Sequence, residues 1–169
     1  MPGKTNSERL WNMNIRDDIS KVKLKIERAF SSVRYPGDNN ITTHQCYECD
    51  RISKYFRGKD WKDVSVIDFY TGYIKTCLAL LSDDAFRFYL PLFLTASLDV
   101  PDYNESLSGR STDTRASIIS SLEPPNPIER NSASKEKHLP AQWEEQAHRW
   151  QARIGGLNAE QKEAIKCFL

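Results

Sequence analysis

The sequence predicts an all-α fold, a compact bundle of about six helices with a long irregular Ser/Pro-rich excursion between the fourth helix and the C-terminal helices. Three observations predict it. Apolar residues recur every three or four positions in several segments, which is the spacing of one helix face. Clusters of turn-forming residues separate these segments. No run of alternating apolar and polar residues indicates a β-strand.

The first helix is expected to begin at Asp18 and to end near Arg34. Asp17 and Asp18 suit a helix N-terminus, where a carboxylate accepts from free N–H groups and complements the helix dipole. Turn-forming residues at 35–40 end the helix. Residues 1–17 are polar, and we expect a loosely tied arm there. The predicted buried stripe of the helix is Ile19, Val22, Ile26, Ala29, Phe30 and Val33.

The next three helices are predicted over residues 49–56, over residues 66–81 and from residue 83 onward. Gly58 is the expected stop of the second helix, and Ser82 is the expected N-cap of the fourth. Pro91 lies inside the fourth helix and removes one backbone donor, which predicts a kink or two short helices end to end. The apolar positions of the third helix are Ile67, Tyr70, Ile74, Cys77, Leu78 and Leu81.

Residues 99–139 form the Ser/Pro-rich excursion, in which residues 116–122 are expected to make one or two helical turns. Regular structure is expected to return at Pro140, with a helix that ends at Gly155 and Gly156. Asn158 and Gln161 have capping-box spacing and predict a last helix.

The chain has 169 residues, the size of one domain. We expect a single helical domain over residues 18–169, with residues 99–139 as a long surface loop region. A net charge of +1 excludes a generic polycation, and 39% apolar residues exclude full disorder. No secretory signal or membrane-spanning stretch is apparent, and four cysteines are too few for a disulfide scaffold. A cytoplasmic protein with reduced thiols is therefore expected.

Five segments carry a family resemblance: IERAF at residues 26–30, YPGD at 35–38, FRGKxW at 56–61, AFRFYLP at 85–91 and LxxEQKxAIxxFL at 157–169. Together they resemble a family of small bacterial helical proteins of unknown function. The resemblance covers residues 19–98 and the last helix, and the Ser/Pro-rich excursion departs from it. It supplies no reaction. Small helical proteins of this kind are often inhibitors encoded beside secreted toxins. The resemblance therefore implies that the chain is such an inhibitor, an immunity protein.

His44, Cys46 and Cys49 form the one cluster with ligand chemistry. A Cys-x-x-Cys pair can supply half of a zinc site, and His44 could add a third ligand, but the second half is missing from the sequence. The simpler interpretation packs Cys49 under the second helix and leaves Cys46 and His44 in a loop. A redox role is less favoured, because a thioredoxin-type pair belongs at a helix start beside a strand. No metal or other cofactor is expected.

Two further patterns have simple structural explanations. Proline and glycine account for the turn at residues 35–40, which lacks the spacing of a calcium loop. Residues 51–62 mix basic and aromatic side chains, but aspartates dilute the charge, so we expect no direct nucleic-acid binding. The sequence has no Gly-x-Ser-x-Gly motif and no glycine-rich phosphate loop.

We therefore expect a non-enzymatic protein that binds and blocks a cognate toxin, with neither nucleic acid nor membrane as partner. An acidic surface could enter a basic toxin site, and two tryptophans on one helix stripe could anchor a partner, although packing in the core is the favoured reading for them. The alternatives are an enzyme or metal-binding protein that uses His44, Cys46 and Cys49, or a regulatory interaction protein unrelated to toxins. The candidate partner-binding residues are Asp99, Asp102, Glu105, Asp113, Glu123, Glu129, Trp143 and Trp150.

Overall fold

The computed structural model describes residues 6–65, 73–99, 111–125 and 139–169. The fold is all-α, as predicted, and the described residues form six α-helices and two 3₁₀ helices. A single bridge between Thr42 and Leu81 is the only β-type pairing in these ranges. The α-helices are α1 (Asn6–Phe30), α2 (Tyr47–Phe56), α3 (Asp83–Leu98), α4 (Ser111–Leu122), α5 (Leu139–Gly155) and α6 (Ala159–Phe168), and the 3₁₀ helices are Trp61–Asp63 and Tyr73–Leu80.

Helix α3 forms the centre of the molecule. It packs against α1, α4, α5 and both 3₁₀ helices. Ser82 caps its first turn as predicted, with the hydroxyl oxygen accepting from the backbone N–H of Ala85. The helix continues through Pro91 as one element, so the alternative of two short helices is wrong. A helix that is apolar on nearly all faces is stable only when neighbours cover it. Its buried residues are Ala85, Phe86, Phe88, Tyr89, Leu90, Pro91, Leu92, Phe93, Leu94, Ala96 and Ser97.

Helices α1 and α6 lie against each other on one side of the molecule. Ile26, Ala29 and Phe30 of α1 are buried, as the stripe predicts. The capping box at the start of α6 is present, because the Asn158 side chain accepts from the Gln161 N–H and the Gln161 side chain accepts from the Asn158 N–H. This pairing satisfies two backbone donors at the start of α6.

The first helix begins at Asn6, twelve residues before the predicted start at Asp18. The segment predicted as an arm, residues 1–17, is helical from Asn6 onward, so Asp17 and Asp18 lie inside α1 instead of capping it. Both are exposed, and the Asp18 carboxylate pairs with Lys21 at 3.0 Å. Glu, Arg, Leu and Met are good helix formers, and Trp11 and Ile15 continue the spacing of the stripe that includes Ile19, so the sparse apolar residues of this segment still fit one helix face. Residues 1–5 lie outside the described residues.

The third predicted helix differs in type. The structure has a 3₁₀ helix over Tyr73–Leu80, and residues 66–72 lie outside the described residues. Cys77, Leu78 and Leu81 are buried, as expected. At its C-terminal end the Arg153 side chain donates to the Leu78 and Ala79 carbonyl oxygens, which have no donor within the helix.

The excursion contains more helix than expected. Helix α4 spans Ser111–Leu122, whereas the sequence predicts one or two turns over residues 116–122. Ile118 and Leu122 are buried four residues apart and anchor this helix to the core. Residues 100–110 and 126–138 lie outside the described residues, and the arm-plus-one-domain division stays a prediction. None of the helices in the described ranges is both long and apolar enough to cross a bilayer.

Candidate functional site

Two of the six predicted acidic residues can be located with their side chains. Asp99 is exposed at the end of α3 and pairs with Lys23 of α1. Glu123 is exposed just after α4. Asp113 lies in α4, but its side chain is outside the described part, and Asp102, Glu105 and Glu129 fall outside the described residues. An acidic partner-binding surface therefore stays a prediction.

The Trp150 side chain packs between helices. It is half-buried on α5, and its indole N–H donates to the Leu122 carbonyl at the end of α4 at 3.1 Å. This bond satisfies a carbonyl that has no partner within its own helix. Trp150 therefore joins α5 to α4 and does not stand free of the fold. Trp143 lies in the same helix, but its side chain is outside the described part.

Cys46 and Cys49 are brought together at the start of α2. The helix begins at Tyr47, earlier than predicted, and Cys46 is its N-cap and not a loop residue. The Cys46 sulfur accepts from the Cys49 N–H at 3.2 Å, and the two sulfur atoms are 2.7 Å apart. Cys46 is exposed, whereas Cys49 is buried and packs under α2 as expected.

The two thiols are in different electrostatic situations. The hydrogen bonds from the Cys49 side chain and backbone lower the pKa of Cys46, because they stabilise a thiolate there. Burial and the neighbouring sulfur raise the pKa of Cys49. His44 is exposed and reaches Cys49 through a backbone hydrogen bond. The described residues contain no group of three His, Cys, Asp or Glu side chains that could hold a metal ion.

The turn at residues 35–38 is hydrogen-bonded to the residues that follow α2. The Tyr35 hydroxyl donates to the Asp38 carboxylate at 2.6 Å, and both oxygens accept from the Gly58 N–H. Gly58 has a φ of +67°, which favours glycine, and it follows the end of α2. The Tyr89 hydroxyl lies 3.0 Å from the carbonyl oxygens of Phe56 and Lys59. Residues of three of the resemblance segments thus hold one another in place.

The aromatic residues at 51–62 are covered or partly covered, whereas most of the basic residues among them are exposed. Phe56 and Trp61 are buried in the core. The Lys59 ammonium lies 3.7 Å from the Tyr55 ring centroid, and Lys62 lies 5.4 Å from that of Trp61. The lysines therefore cover aromatic rings, and such rings are not available to stack on nucleic-acid bases.

An open groove between α1 and α6 was not expected from the sequence. Its volume is about 680 Å³, and apolar atoms form most of its surface. Leu24 projects into it and is 46% exposed, which makes it one of the most exposed large apolar side chains of the described chain. The groove is lined by Lys21, Leu24, Lys25, Arg28, Ala29, Ala159, Glu160 and Glu163.

The charges along the groove are divided between its two walls. The α1 wall carries Lys21, Lys25 and Arg28, and the α6 wall carries Glu160 and Glu163. Lys25 bridges the walls, because its ammonium group lies 3.5 Å from the Glu163 carboxylate and 3.0 Å from the Cys167 sulfur. The hydrogen bond to Cys167 is the main cause that raises the pKa of Lys25. Arg28 makes no ion pair with any described residue.

The periodicity of α1 gives one weak signal for this groove. Leu24 falls beside the buried stripe and not on it, but single exposed leucines are common on protein surfaces. The groove itself arises only when α6, more than 130 residues later, is placed against α1.

A protein-family model described as a family of unknown function (DUF6714) matches residues 17–169. The match confirms the expectation of an uncharacterised family, and its description gives no activity or partner. No curated protein and no solved structure matches the chain.

Proposed function

The chain belongs to the family of unknown function DUF6714, and we propose that it is a non-enzymatic protein-binding inhibitor that holds a helix of its partner in the α1–α6 groove. The observation that carries the proposal is the exposed Leu24 side chain in a groove with an apolar surface. Covering an apolar side chain of this size contributes about 1 kcal/mol or more to binding.

The shape of the groove favours a helix as the occupant. Two packed helices with small residues facing the gap leave a channel that an amphipathic helix can enter with its apolar side. Ala29 on α1 and Ala159 on α6 are such small residues. Both walls belong to regular helices, and α1 also packs on the central helix α3, so the groove keeps its shape without the partner.

The charges of the groove select the partner's sequence. The α1 wall is basic, and Arg28 has no ion pair with a described residue, so it can pair with a carboxylate of the partner. We therefore expect the bound helix to carry Asp or Glu on the side that faces α1. Charge pairs at the rim raise the association rate and exclude wrong partners more than they add affinity.

The class of partner proposed is a bacterial toxin, which makes the chain an immunity protein. This part rests on the resemblance to small helical inhibitors and on the physical requirements of an inhibitor, which are a rigid core and a distinctive exposed surface. The acidic residues around the excursion, of which Asp99 and Glu123 are described and exposed, remain a predicted second contact. We place the protein in the cytoplasm, where it would meet a toxin that has entered the cell.

Co-expression with the product of the adjacent reading frame tests the proposal. We expect that product to arrest growth when it is expressed alone, and we expect this chain to restore growth and to co-purify with it as a stoichiometric complex. Leu24→Glu should weaken both effects. A neighbour whose toxicity this chain does not relieve, and which does not bind it, would exclude the immunity function.

A further inference from the structure

The cysteine pair at the start of α2 does not line the groove and has no part in the proposed binding of a partner helix. The two sulfurs are 2.7 Å apart, and a disulfide bond is about 2.05 Å long. Cys46 is exposed at the N-cap, and Cys49 is buried in the first turn of the same helix. A small movement of two side chains would bring the sulfurs to bonding distance.

We propose that Cys46 and Cys49 form a reversible dithiol site that exchanges with disulfide-bonded thiols and closes to an internal disulfide. Cys46 is the attacking residue, because it is the exposed member of the pair. Cys49 is the resolving residue, because burial keeps external disulfides away from it while the Cys46 sulfur stays within reach. The site is a modification site and requires no partner in the groove.

The helix start favours a thiolate on Cys46. Its sulfur accepts from the Cys49 N–H at 3.2 Å, at the end of a ten-residue helix where backbone N–H groups and the dipole stabilise negative charge. The Cys49 side chain adds a second hydrogen bond, and together the two lower the pKa of Cys46. Desolvation of the thiolate is the larger opposing effect on this pKa, and the negative charge of Glu48 is a smaller one. An exposed cysteine of lowered pKa beside a resolving cysteine is the usual arrangement of a redox-sensitive site.

The exchange balances in two steps. The Cys46 thiolate attacks one sulfur of the external disulfide, the external S–S bond breaks, and the leaving thiolate takes a proton. Cys49 then loses its proton and attacks the Cys46 sulfur, which forms the Cys46–Cys49 bond and releases the second thiolate. Two electrons pass from the protein dithiol to the external disulfide, which leaves as two thiols.

The other two cysteines provide internal controls. Cys167 is exposed near the C-terminus, and Lys25 is its hydrogen-bond partner, not a second thiol. It should therefore form a mixed disulfide that persists. Cys77 is buried, and burial raises the pKa of its thiol, so it should not react in the folded protein.

Oxidised glutathione is the probe, with site-resolved mass spectrometry of the full chain after alkylation. At residues 46 and 49 we expect loss of both alkylatable thiols, no retained glutathione, a peptide linked through the two sulfurs, and full reversal by dithiothreitol. Cys167 should retain one glutathione. Glutathione that stays on Cys46 in the wild-type chain, or a pair that remains reduced while Cys167 reacts, would overturn the proposal.

Two variants separate the roles of the cysteines. Cys49→Ala should trap one glutathione on Cys46, because the resolving thiol is gone. Cys46→Ser keeps an N-cap oxygen on α2 and should leave Cys49 unmodified. A Cys49 that reacts in Cys46→Ser would contradict its assignment.

A rate measurement on the wild-type chain keeps the proposal testable if Cys49→Ala fails to fold. Iodoacetamide at neutral pH should alkylate Cys46 several-fold faster in the folded chain than in the same chain unfolded by urea, and equal rates would contradict the stabilised thiolate. A negative result at the cysteine pair does not bear on the groove proposal. The groove is tested separately by Leu24→Glu, which leaves α2 unchanged.

Discussion

The Arg153 side chain makes four hydrogen bonds inside the fold. Its guanidinium lies 3.2 Å from the Asp83 carboxylate and 3.2 Å from the Ala79 carbonyl oxygen, and it also donates to the carbonyl oxygens of Leu78 and Leu81. The residue is buried and packs against the Phe86 ring. Burial lowers the pKa of Arg153, and the hydrogen bond to Asp83 opposes that effect. One α5 side chain thereby joins the 3₁₀ helix to the start of α3.

Replacing Arg153 with methionine should destabilise the protein by about 3 kcal/mol, because buried carbonyl groups lose their donor. The measurement is the free energy of unfolding in denaturant. The matched control is Arg149→Met, one turn earlier, where the side chain pairs with Glu145 at 2.9 Å on the partly exposed side of α5. That change should cost less than about 1 kcal/mol. Equal effects of the two changes would contradict the role given to Arg153.

The buried Tyr89 hydroxyl should make the free energy of unfolding depend on pH in the alkaline range. Its ring is fully buried, and burial raises the pKa of its hydroxyl well above the ordinary value. The folded chain therefore keeps this proton at pH values where the unfolded chain, with a tyrosine pKa of about 10, has lost it. The free energy of unfolding should consequently fall as the pH rises above about 10 and should continue to fall until the folded-state pKa is reached.

The substitution Tyr89→Phe should make this decline shallower and cost about 1 kcal/mol at neutral pH, because the hydroxyl bonds to Phe56 and Lys59 are lost. A smaller decline should remain, since burial also raises the pKa of Tyr35. Denaturant unfolding at a series of pH values measures both quantities. Tyr47→Phe removes an exposed hydroxyl and is the matched control. An unchanged slope in Tyr89→Phe would refute the coupling.

At the scale of helices, the ends that depend on local chemistry were predictable. Ser82 and Asn158 are common N-cap residues, and each was placed correctly by its sequence neighbours. The starts of α1 and α2 differ from the predicted ones for two separate reasons. The segment before Asp18 is mostly polar, so the continuation of the stripe through Trp11 and Ile15 is easy to overlook, and Cys46 is not among the residues preferred at N-caps.

The 3₁₀ helix Tyr73–Leu80 has contacts with distant residues that its local sequence pattern does not reveal. The Leu78 and Ala79 carbonyls at its end find their donor in Arg153, more than 70 residues later, and the sequence around the segment resembles an ordinary buried α-helix. The groove has the same property, because it exists only where two distant helices meet. Long-range contacts of this kind limited the prediction of the candidate site more than that of the fold.

Ser82 supports two elements at once, and its replacement tests this. The hydroxyl accepts from the Ala85 N–H at 3.1 Å and donates to the Asn40 carbonyl oxygen at 2.6 Å, so it caps α3 and holds the preceding loop against it. Ser82→Ala should reduce the free energy of unfolding by about 1–2 kcal/mol. Ser31→Ala removes an exposed hydroxyl that donates to the Arg28 carbonyl and should change stability by less than about 0.5 kcal/mol. A loss in Ser82→Ala no larger than in Ser31→Ala would contradict the double role.

At the scale of the whole molecule, the arrangement around α3 produces a rigid platform. Helices α1, α4 and α5 pack on it, and α6 packs on α1, so the outer face of the α1–α6 pair is supported from below. The loop before α2 is fastened to the same centre, since the Ser82 N–H donates to the Ile41 carbonyl oxygen at 2.9 Å. A platform of this kind presents a fixed surface to a partner, which is the property that the proposed inhibitor needs.

The central claim is that this surface binds a partner helix through Leu24, and the affinity of Leu24→Glu for the adjacent gene product tests it most directly. The matched control is Tyr47→Glu, because Tyr47 is a 77% exposed apolar side chain on α2 and an acidic residue suits the first turn of a helix. Calorimetry should show binding by the wild-type chain and by Tyr47→Glu with similar Kd values. Leu24→Glu should weaken binding about 30-fold or more, which corresponds to about 2 kcal/mol. Equal Kd values for all three proteins would contradict the claim.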